Sequence, residues 1–401
     1  MSEDIKRGIF KIMIIIIPLL FGHQLYAADQ AILGTALTNV IRDLDIPLVL
    51  GGTITSTLGF GIIIGSLTAS LIIRKRGFVY TLSLAITVFS FFTFLTGFSF
   101  SAWDLLLFRI LVGVGEGLWN VAYYSMVGIL FSKNRGLAIA ITGNMYPIGL
   151  LWAYPLITSF ITWFGNWRLP FIFFGLLGFP IAVLINLFIK SIMLKQYTHS
   201  GNGAKKDRRL HSYRSTLMKA SVLSGCIMMF FHALIHSSIL TYYPTYLVNI
   251  GYDQTVSGVL MAILSFMLLI STVIILLLSD RYGRKPFIYC SALFSAVASV
   301  LMFQLRSKNF VYSAAICVFF GATQMGGGYP LIAAFVQDSV SVETIGFAMS
   351  VISISYYVGN LIAGPATGYI VFFSGWMFGG FWLALCCLSV FTALILVKAR
   401  I

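Results

Sequence analysis

Charged residues are scarce in this chain, and acidic ones are scarcer still. Of its 401 residues only 9% are charged and 12 are Asp or Glu, whereas 59% are hydrophobic and the mean hydropathy is +0.95. No soluble domain can hide so much apolar surface from water. The composition therefore excludes a soluble globular protein and predicts that lipid surrounds most of the chain.

Cysteine is also rare, and the common motifs of enzymes are missing. The five cysteines fall inside apolar segments, and their spacing indicates neither a zinc site nor a disulfide framework. Small core residues are the simpler interpretation. The sequence has no Walker loop, catalytic triad or cofactor fingerprint. We therefore expect a protein that is not an enzyme and that has no cofactor and no metal site.

Apolar segments of membrane-spanning length take up most of the chain. They are too long, and alternate too little, to be the strands of a transmembrane barrel, so helices must satisfy their backbone hydrogen bonds. The pattern predicts an all-α membrane protein with twelve transmembrane helices. The predicted spans are 9–38, 48–73, 78–99, 103–131, 135–163, 168–190, 215–248, 254–279, 286–304, 309–337, 343–373 and 376–397.

Lysine and arginine indicate how these helices are oriented. If the N-terminus is cytoplasmic, 21 of the 26 basic residues fall on the cytoplasmic side and 4 on the other side, and Arg109 lies within the membrane. Such an excess is typical of cytoplasmic loops. We therefore expect a multi-pass protein of the cell membrane with both termini in the cytoplasm. The same placement assigns the net charge of +14 to orientation and lipid contact, not to a nucleic-acid partner.

The chain divides into two similar halves. Residues 1–190 and 215–401 each hold six predicted helices, and the polar, basic stretch 191–214 is predicted to be a cytoplasmic linker. At an offset of 210 the halves align Tyr146 with Tyr356, Gly149 with Gly359, Pro155 with Pro365 and Gly165 with Gly375. Two parallel six-helix bundles with a site between them are typical of transporters. We expect a monomer in the lipid bilayer whose partner is a small-molecule substrate.

The fourth predicted helix carries two charges in a segment that otherwise suits lipid. Arg109 and Glu116 are seven positions apart, so they share one face of the helix and lie about 10.5 Å apart along its axis. A charge at the centre of a membrane helix costs about 2.5–3.5 kcal/mol on insertion scales. Asn120 continues the same face, and three glycines in 113–117 permit close approach by a neighbouring helix. We therefore predict that this helix lines a polar cavity.

One loop of the second half carries a recognisable motif. Leu278-Ser-Asp-Arg-Tyr-Gly-Arg-Lys285 resembles the motif G-x-L-x-D-R-x-G-R-[RK] of the major facilitator superfamily, and Ile72-Ile-Arg-Lys-Arg-Gly77 is a degraded copy in the first half. The resemblance implies the fold of that superfamily over the whole chain. It also implies a gating role for the motif residues Asp280, Arg281, Gly283, Arg284 and Lys285.

Three further segments are similar to the anion:cation symporter branch of that superfamily. Tyr26-Ala-Ala-Asp29-Gln30 resembles its Y-x-x-D-R, residues 109–117 resemble its R-x-x-x-G-x-x-E-G, and Tyr243-Pro-Thr-Tyr246-Leu247 resembles its W-x-P-x-Y-L. The resemblance implies symport of an organic anion, a carboxylate or a sugar acid, with protons. Gln30 stands where the branch has an arginine, which leaves Arg109 as the only arginine in the predicted membrane core.

The charged residues indicate a division of roles. A carboxyl group that alternates between a dry cavity and an arginine partner can take up and release a proton. Glu116 is the first candidate for proton coupling, and Asp29 is the second. Arg109 stays protonated and suits an anionic substrate or, once the substrate has left, Glu116. The other predicted substrate-binding residues are Tyr26, Gln30 and Asn120 in the first half and Tyr243, Gln324, Tyr329, Tyr356 and Asn360 in the second.

Alternatives stay open at this point. The same carboxyls would serve a proton-coupled exporter of drugs or metabolites, and Gln30 with the uncharged second half would suit a uniporter of a neutral solute. The histidines in predicted helices, His23, His232 and His236, are expected to make helix contacts or hydrogen bonds, with a proton relay as the less favoured role. Asp338 is expected to pair with a basic loop residue such as Arg135.

Overall fold

Helices account for nearly all of the described chain, as a backbone surrounded by lipid requires. The computed structural model describes residues 3–130, 142–189, 216–305, 308–325, 328–341 and 344–398, so the predicted linker 191–214 lies outside the described residues. The helices are α1 (Glu3–Leu44), α2 (Leu48–Thr96), α3 (Ala102–Leu130), α4 (Met145–Phe164), α5 (Arg168–Leu184), α6 (Ala220–Asn249), α7 (Gln254–Tyr282), α8 (Arg284–Met302), α9 (Phe310–Phe320), α10 (Tyr329–Gln337), α11 (Ile345–Ser374) and α12 (Trp376–Lys398). Short π-helical turns, Ile185–Ile189 and Gly321–Met325, follow α5 and α9.

These helices make twelve membrane passages in the described chain, as predicted. α2 makes two of them, because its backbone turns at Gly77, and α9 and α10 together make one. Eight of the described helices, with α2 counted once, are long and apolar enough to span a bilayer. Large apolar side chains such as Phe60, Leu67 and Phe372 are exposed on their surfaces. Because water would not tolerate so many of these, the outer face of the bundle must contact lipid.

The tenth predicted span crosses the membrane but is not a regular α-helix throughout, because Gly328, just before α10, has non-helical angles of φ −81° and ψ −111°. After α9 the helix passes through a π-helical turn, and α10 begins only at Tyr329, with Pro330 in its first turn. A Cβ atom on Gly328 would collide with the imidazole ring of His232. The N–H of Tyr329 donates to Nε2 of His232 at 3.2 Å. His232 therefore satisfies a backbone donor that the break would otherwise leave without a partner.

Equivalent turns in the two halves confirm the repeat. Gly77 and Gly283 form the turn between the second and third passages of their halves, with φ of +85° and +91°. Gly165 and Gly375, which the sequence repeat aligns, also have positive φ, +62° and +86°. Glycine reaches such angles without the steric cost that other residues bear. The two halves therefore use the same residue type for the same backbone turn at equivalent places.

The halves pack on each other mainly through three helix pairs: α1 packs on α6, α2 on α11, and α4 on α7. The last two pairs are equivalent under the repeat. Each half thus contributes the same helices to the contact between them, as expected for two units that rock against each other.

The two ends of the bundle are named here by the turns that they hold. The distal end holds the chain turns 45–47, 165–167 and 250–253, and the linker end holds Gly77 and Gly283.

Hydrogen bonds and close backbone contacts close the distal end. The N–H of Gly364 donates to Oγ of Ser56 at 2.7 Å. A Cβ atom on Gly364 would meet the carbonyl group of Gly52, and one on Gly34 would meet the carbonyl group of Leu240. Small residues let membrane helices approach in this way. Closure of the distal end therefore depends on glycine at these positions.

Replacing Gly364 with alanine should open the distal end. The added methyl group collides with the backbone of Gly52, and overpacking of this kind costs about 1–3 kcal/mol, which shifts a two-state equilibrium by about tenfold. In a background without native cysteines, a Thr55→Cys reporter on the cavity wall should then react faster with a membrane-impermeant thiol reagent added at the distal side. Gly143→Ala is the matched control, because its Cβ makes only an ordinary contact with Tyr124. Equal labelling rates in the two variants would contradict the claim that closure of the distal end depends on glycine at position 364.

Candidate functional site

α1 and α3 bring Asp29 and Arg109 together inside the first half. Nη1 of Arg109 lies 2.9 Å from Oδ2 of Asp29, and both residues are buried. The hydroxyl of Thr93 in α2 donates to the other carboxylate oxygen, Oδ1, at 2.5 Å. A buried charge is tolerated when it is paired and hydrogen-bonded in this manner. In this conformation Arg109 therefore pairs with Asp29 and not with Glu116.

Glycines allow α3 to reach this position, as predicted. A Cβ atom on Gly113 would meet the carbonyl group of Leu58, and one on Gly117 would meet the carbonyl group of Ile62. The backbones of α2 and α3 are therefore in direct contact on both sides of Glu116. On another face of α3, Arg109 and Glu116 reach side chains of α1.

Glu116 meets a different residue of α1. Nε2 of Gln30 donates to Oε2 of Glu116 at 2.9 Å, and the hydroxyl of Tyr146 in α4 donates to Oε1 of Gln30 at 2.8 Å. Oε1 of Glu116 has no hydrogen-bond partner, although Glu116 is fully buried. Both oxygens of Asp29, by contrast, accept a hydrogen bond. Of these two carboxyl groups, Glu116 is thus the one with an oxygen that has no hydrogen-bond partner.

Asn120 connects the two halves on the linker side of Glu116. Its Nδ2 donates to the hydroxyl of Tyr26 in α1 at 3.0 Å and to the hydroxyl of Tyr357 in α11 at 2.8 Å. The rings of Tyr146 and His236 also face each other across the halves, with centroids 6.3 Å apart. Polar contacts between the halves therefore exist both at the distal end and at the centre of the bundle.

A cavity of about 40 Å³ lies between the halves at the level of these residues. Arg109, Gln30 and Asn360 line it, and four hydroxyl side chains share the wall with them: Thr55, Ser56, Ser237 and Thr241. Nε and Nη2 of Arg109 and Oδ1 of Asn360 have no hydrogen-bond partner. Buried donors and acceptors without partners are costly, and these belong to two residues that line the cavity. The volume suits about three water molecules, so the halves have closed on the site.

The histidines are held by hydrogen bonds. Nδ1 of His23 accepts from Nε1 of Trp119 at 3.3 Å, and its Nε2 lies 3.3 Å from the hydroxyl of Tyr124. Nδ1 of His236 lies 3.1 Å from the hydroxyl of Tyr356. These contacts agree with the hydrogen-bonding role predicted for the histidines. Within the described ranges, no group of three or more His, Cys, Asp or Glu side chains could hold a metal ion.

The structure brings most predicted residues of the first half to one place. Arg109 and Gln30 lie on the cavity wall, Glu116 bonds to Gln30, and Asn120 joins Tyr26. From the second half, Asn360 lies on the wall and Tyr356 contacts His236, which also lines the cavity.

Three predicted residues of the second half stand apart from the cavity wall or cannot be placed. Tyr243 is buried and stacks on Tyr246, with ring centroids 6.1 Å apart. Tyr329 packs edge-on against Tyr356 at 5.3 Å. The side chain of Gln324 lies outside the described residues, although its backbone belongs to the π-helical turn after α9.

Sequence reasoning missed three residues that hold the site together. Thr93 bonds to Asp29, Tyr146 bonds to Gln30, and Tyr357 bonds to Asn120. One signal was present: Tyr146 aligns with Tyr356 in the repeat, so tyrosine recurs at equivalent positions of both halves. Thr93 gave no such signal, because a threonine in an apolar helix commonly bonds to its own backbone.

The loop motif forms ion pairs at the linker end. Arg284 pairs with Asp280 one turn earlier, and its Nε lies 3.1 Å from Oδ2 of Asp338. Gly283 provides the turn between them. Asp338 thus has a basic partner, as expected, but the partner is Arg284, and Arg135 lies outside the described residues. Because both carboxylates are exposed, these pairs contribute little to stability and can break during a conformational change.

The architecture defines the class of protein. Twelve passages in two similar halves, with a polar cavity between them, make the chain a secondary transporter of small solutes. Residues 19–276 and 225–400 match the family model described as Major Facilitator Superfamily. The chain therefore belongs to the Major Facilitator Superfamily.

Known transporters are similar to the chain, two of them along most of its length and one over 40% of it. It is 24% identical over 414 residues to the "Probable galactarate/D-glucarate transporter GarP" of Escherichia coli K12, which covers 92% of this chain and 90% of GarP. It is 28% identical over 163 residues to the hexuronate transporter of Bacillus subtilis 168, which covers 40% of this chain and 38% of that protein. The crystal structure of a D-xylose-proton symporter superposes with a TM-score of 0.77 at 16% identity, over 96% of this chain and 97% of the symporter. That likeness shows a shared fold.

Proposed function

We propose that this protein is a symporter that carries a small organic anion, a carboxylate or a sugar acid, together with a proton. The observation that carries the proposal is the unpaired edge of Arg109. Its Nε and Nη2 have no hydrogen-bond partner, and Arg109 lines the cavity between the halves. A guanidinium edge of this kind binds a carboxylate through two parallel hydrogen bonds. Nη1 can stay bonded to Asp29 while the substrate occupies that edge.

Glu116 supplies the proton site in this proposal. Its Oε1 has no hydrogen-bond partner, and its Oε2 accepts a hydrogen bond from the neutral amide of Gln30. A proton can therefore bind and leave at Glu116 without breaking the pair between Asp29 and Arg109. An anion that arrives at Arg109 is repelled by a charged Glu116 and tolerated by a protonated one. Substrate binding and proton binding would thus favour each other.

The similar transporters support both parts of the proposal. GarP and the hexuronate transporter are named for sugar acids. The symporter with the similar fold is named for D-xylose and protons. We extend to this chain only the broad class that the first two share, sugar acids, without the number of carboxylates, and the proton coupling of the third.

The contacts between the halves support alternating access. Gly52 and Gly364 bring the halves together at the distal end, and the hydrogen bond between Asn120 and Tyr357 joins them on the linker side of the cavity. If these two sets of contacts open in turn, the cavity is exposed first to one side of the membrane and then to the other. The ion pairs of Arg284 at the linker end would break and re-form with that motion.

The orientation and the division of the chain complete the proposal. Residues 1–190 and 215–401 form the two bundles, and 191–214 form a cytoplasmic linker. The linker end faces the cytoplasm, so both termini lie inside the cell, and the protein works as a monomer in the cell membrane. Basic residues in the described turns at that end support this orientation: Arg74, Lys75, Arg76, Arg281, Arg284 and Lys285.

A neutral solute is the second candidate, and one observation favours it. Asp29 already balances the charge of Arg109, and the rest of the described cavity wall offers hydroxyl and amide groups. Such a wall also suits a sugar or a polyol. The response of transport to an imposed membrane potential distinguishes a carrier of a neutral solute from an anion symporter.

Transport into proteoliposomes should show electroneutral symport. With D-glucuronate outside and an acidic exterior, one proton per monoanion gives about tenfold accumulation for each pH unit, and an imposed membrane potential should change nothing. A neutral solute carried with a proton would respond to the potential as well as to pH. A proton-coupled exporter would accumulate substrate only with an acidic interior. A uniporter would not accumulate it at all, and each of the last three results would contradict the proposal.

A further inference from the structure

The described wall of the cavity has a single fixed charge. Among the residues that line it, Arg109 is the only one with a permanent charge, and His236 is the only other titratable group. Asp29 lies 2.9 Å from Arg109 and balances it. Glu116, next to the wall, is either neutral or negative. The site therefore has a net charge of zero or less before any substrate enters, unless His236 is protonated.

Gln30 occupies the place on the wall where a second positive charge could stand. It is adjacent to Asp29 in α1 and lines the cavity with a neutral amide. The amide is held at both ends, since Nε2 donates to Glu116 at 2.9 Å and Oε1 accepts from Tyr146 at 2.8 Å. Its position is thus set by hydrogen bonds, and it brings no charge to the site.

One carboxylate fits this arrangement, and two do not. The first finds Nε and Nη2 of Arg109, which have no partner. A second would find only neutral donors on the wall, such as the hydroxyl groups of Thr55, Ser56 and Thr241. Asp29 and, when charged, Glu116 would repel it between buried groups, where charges act more strongly on one another than in bulk water. Burial of a carboxylate without a cationic partner is costly.

We infer that the site takes a solute with one carboxylate and that Gln30 sets this limit. The inference rests on the proposed function and refines it. The substrate class is then a sugar acid with a single carboxylate, a uronate or an aldonate, whose hydroxyl groups meet the hydroxyl and amide groups of the wall. An aldarate, with a carboxylate at each end, is excluded. A guanidinium in place of the Gln30 amide would supply the missing charge and admit the second carboxylate.

Three probes with the same six-carbon skeleton test this directly. D-glucose, D-glucuronate and D-glucarate have no, one and two carboxylates, and binding of each to the purified full chain can be measured by calorimetry at about pH 7.5, where both acids are fully ionised. Wild-type protein should bind D-glucuronate at least about tenfold more tightly than D-glucarate, the size of effect expected for one uncompensated charge. Gln30→Arg should reduce that ratio or reverse it.

The possible results distinguish a failure of the one-carboxylate limit from a failure of the proposed anion symport. Binding of D-glucarate to wild-type protein within about threefold of D-glucuronate would overturn the charge limit and leave the anion symporter intact. Binding of D-glucose alone would overturn both. An unchanged ratio in a folded Gln30→Arg variant would show that Gln30 does not set the limit. The wild-type comparison needs no variant, so it decides the charge limit even if Gln30→Arg fails to fold.

A matched variant separates charge from hydrogen bonding. Gln30→Leu removes both hydrogen bonds of the amide and adds no charge, so it should weaken binding of both acids and leave their ratio unchanged. A ratio that moves as far in Gln30→Leu as in Gln30→Arg would contradict the assignment of the limit to charge. The melting temperature of each purified variant shows whether it has folded.

Discussion

Replacing Arg109 with glutamine should remove carboxylate binding and weaken the fold at the same time. The substrate loses charge-assisted hydrogen bonds worth about 1.5–3 kcal/mol, so binding of D-glucuronate should fall by about tenfold to a hundredfold. The buried carboxylate of Asp29 also loses its ion-pair partner, which lies 2.9 Å away. Removing one member of a buried pair typically costs about 3–5 kcal/mol. Calorimetry and thermal melting of the purified variant measure the two losses.

The double variant Asp29→Asn with Arg109→Gln separates these two effects. It removes both charges, so no buried charge stays unpaired, and the melting temperature should recover most of the loss. Binding of D-glucuronate should not recover, because the cavity wall then has no guanidinium. If binding returned together with stability, Arg109 would be a structural residue and not the anion site.

The pair of Arg168 and Asp43 at the distal end is the matched control. Nη1 of Arg168 lies 2.7 Å from Oδ2 of Asp43, but both side chains are partly exposed. Exposed pairs contribute about 0–1 kcal/mol. Arg168→Gln should therefore leave the melting temperature nearly unchanged and D-glucuronate binding intact. A loss of binding as large as that of Arg109→Gln would indicate a general effect of removing arginine.

The helices could be predicted because lipid leaves the backbone so few choices. Every buried N–H and C=O group in a membrane needs an internal partner, so each long apolar segment had to be a helix. The break between α9 and α10 was harder, because an average of hydropathy does not register a local change of backbone. The stretch Gly326-Gly-Gly-Tyr-Pro330 was a visible signal for it. The acceptor for the N–H group of Tyr329 could not be predicted, because His232 lies 97 positions away in the sequence.

The charges of the site could be predicted, but their partners could not. Arg109 and Glu116 stood out because a charge in a membrane helix is costly and therefore indicates a functional site. That Arg109 meets Asp29 and Glu116 meets Gln30 depends on how α1 and α3 rotate against each other, and the residues concerned are 80 and 86 positions apart. Helical spacing shows which residues of one helix share a face, not which residue of another helix they meet.

The placement of Tyr243 shows the same limit. It lies in α6, which is apolar on all sides and largely buried, so no polar stripe shows which face points to the cavity. Similarity to a family motif suggested a site residue, whereas the structure packs its ring against Tyr246 and Phe303. On the same helix, His236, Ser237, Leu240 and Thr241 are the residues that reach the cavity wall.

Replacing Glu116 with glutamine should abolish proton-driven accumulation and leave exchange intact. Glutamine has nearly the same shape and can still accept the hydrogen bond that Gln30 donates at 2.9 Å, but it cannot release a proton. In proteoliposomes with an acidic exterior, the ratio of D-glucuronate inside to outside should fall from about tenfold per pH unit to about one. Exchange of labelled for unlabelled D-glucuronate at equal pH should continue, because the wall at Arg109 and Asn360 is unchanged.

Asp104→Asn is the matched control for this prediction, because Asp104 is a second carboxyl on the same helix. It accepts from the backbone N–H groups of Phe100 and Ser101 at the start of α3 and does not line the cavity. Its replacement should leave accumulation unchanged. If Glu116→Gln still accumulated D-glucuronate about tenfold per pH unit, the proton site would have to move to Asp29. The two oxygens of Asp29 are bonded to Thr93 and Arg109. A proton that binds and leaves there would break the ion pair with Arg109 in each transport cycle. A proton site at Glu116 leaves that ion pair intact.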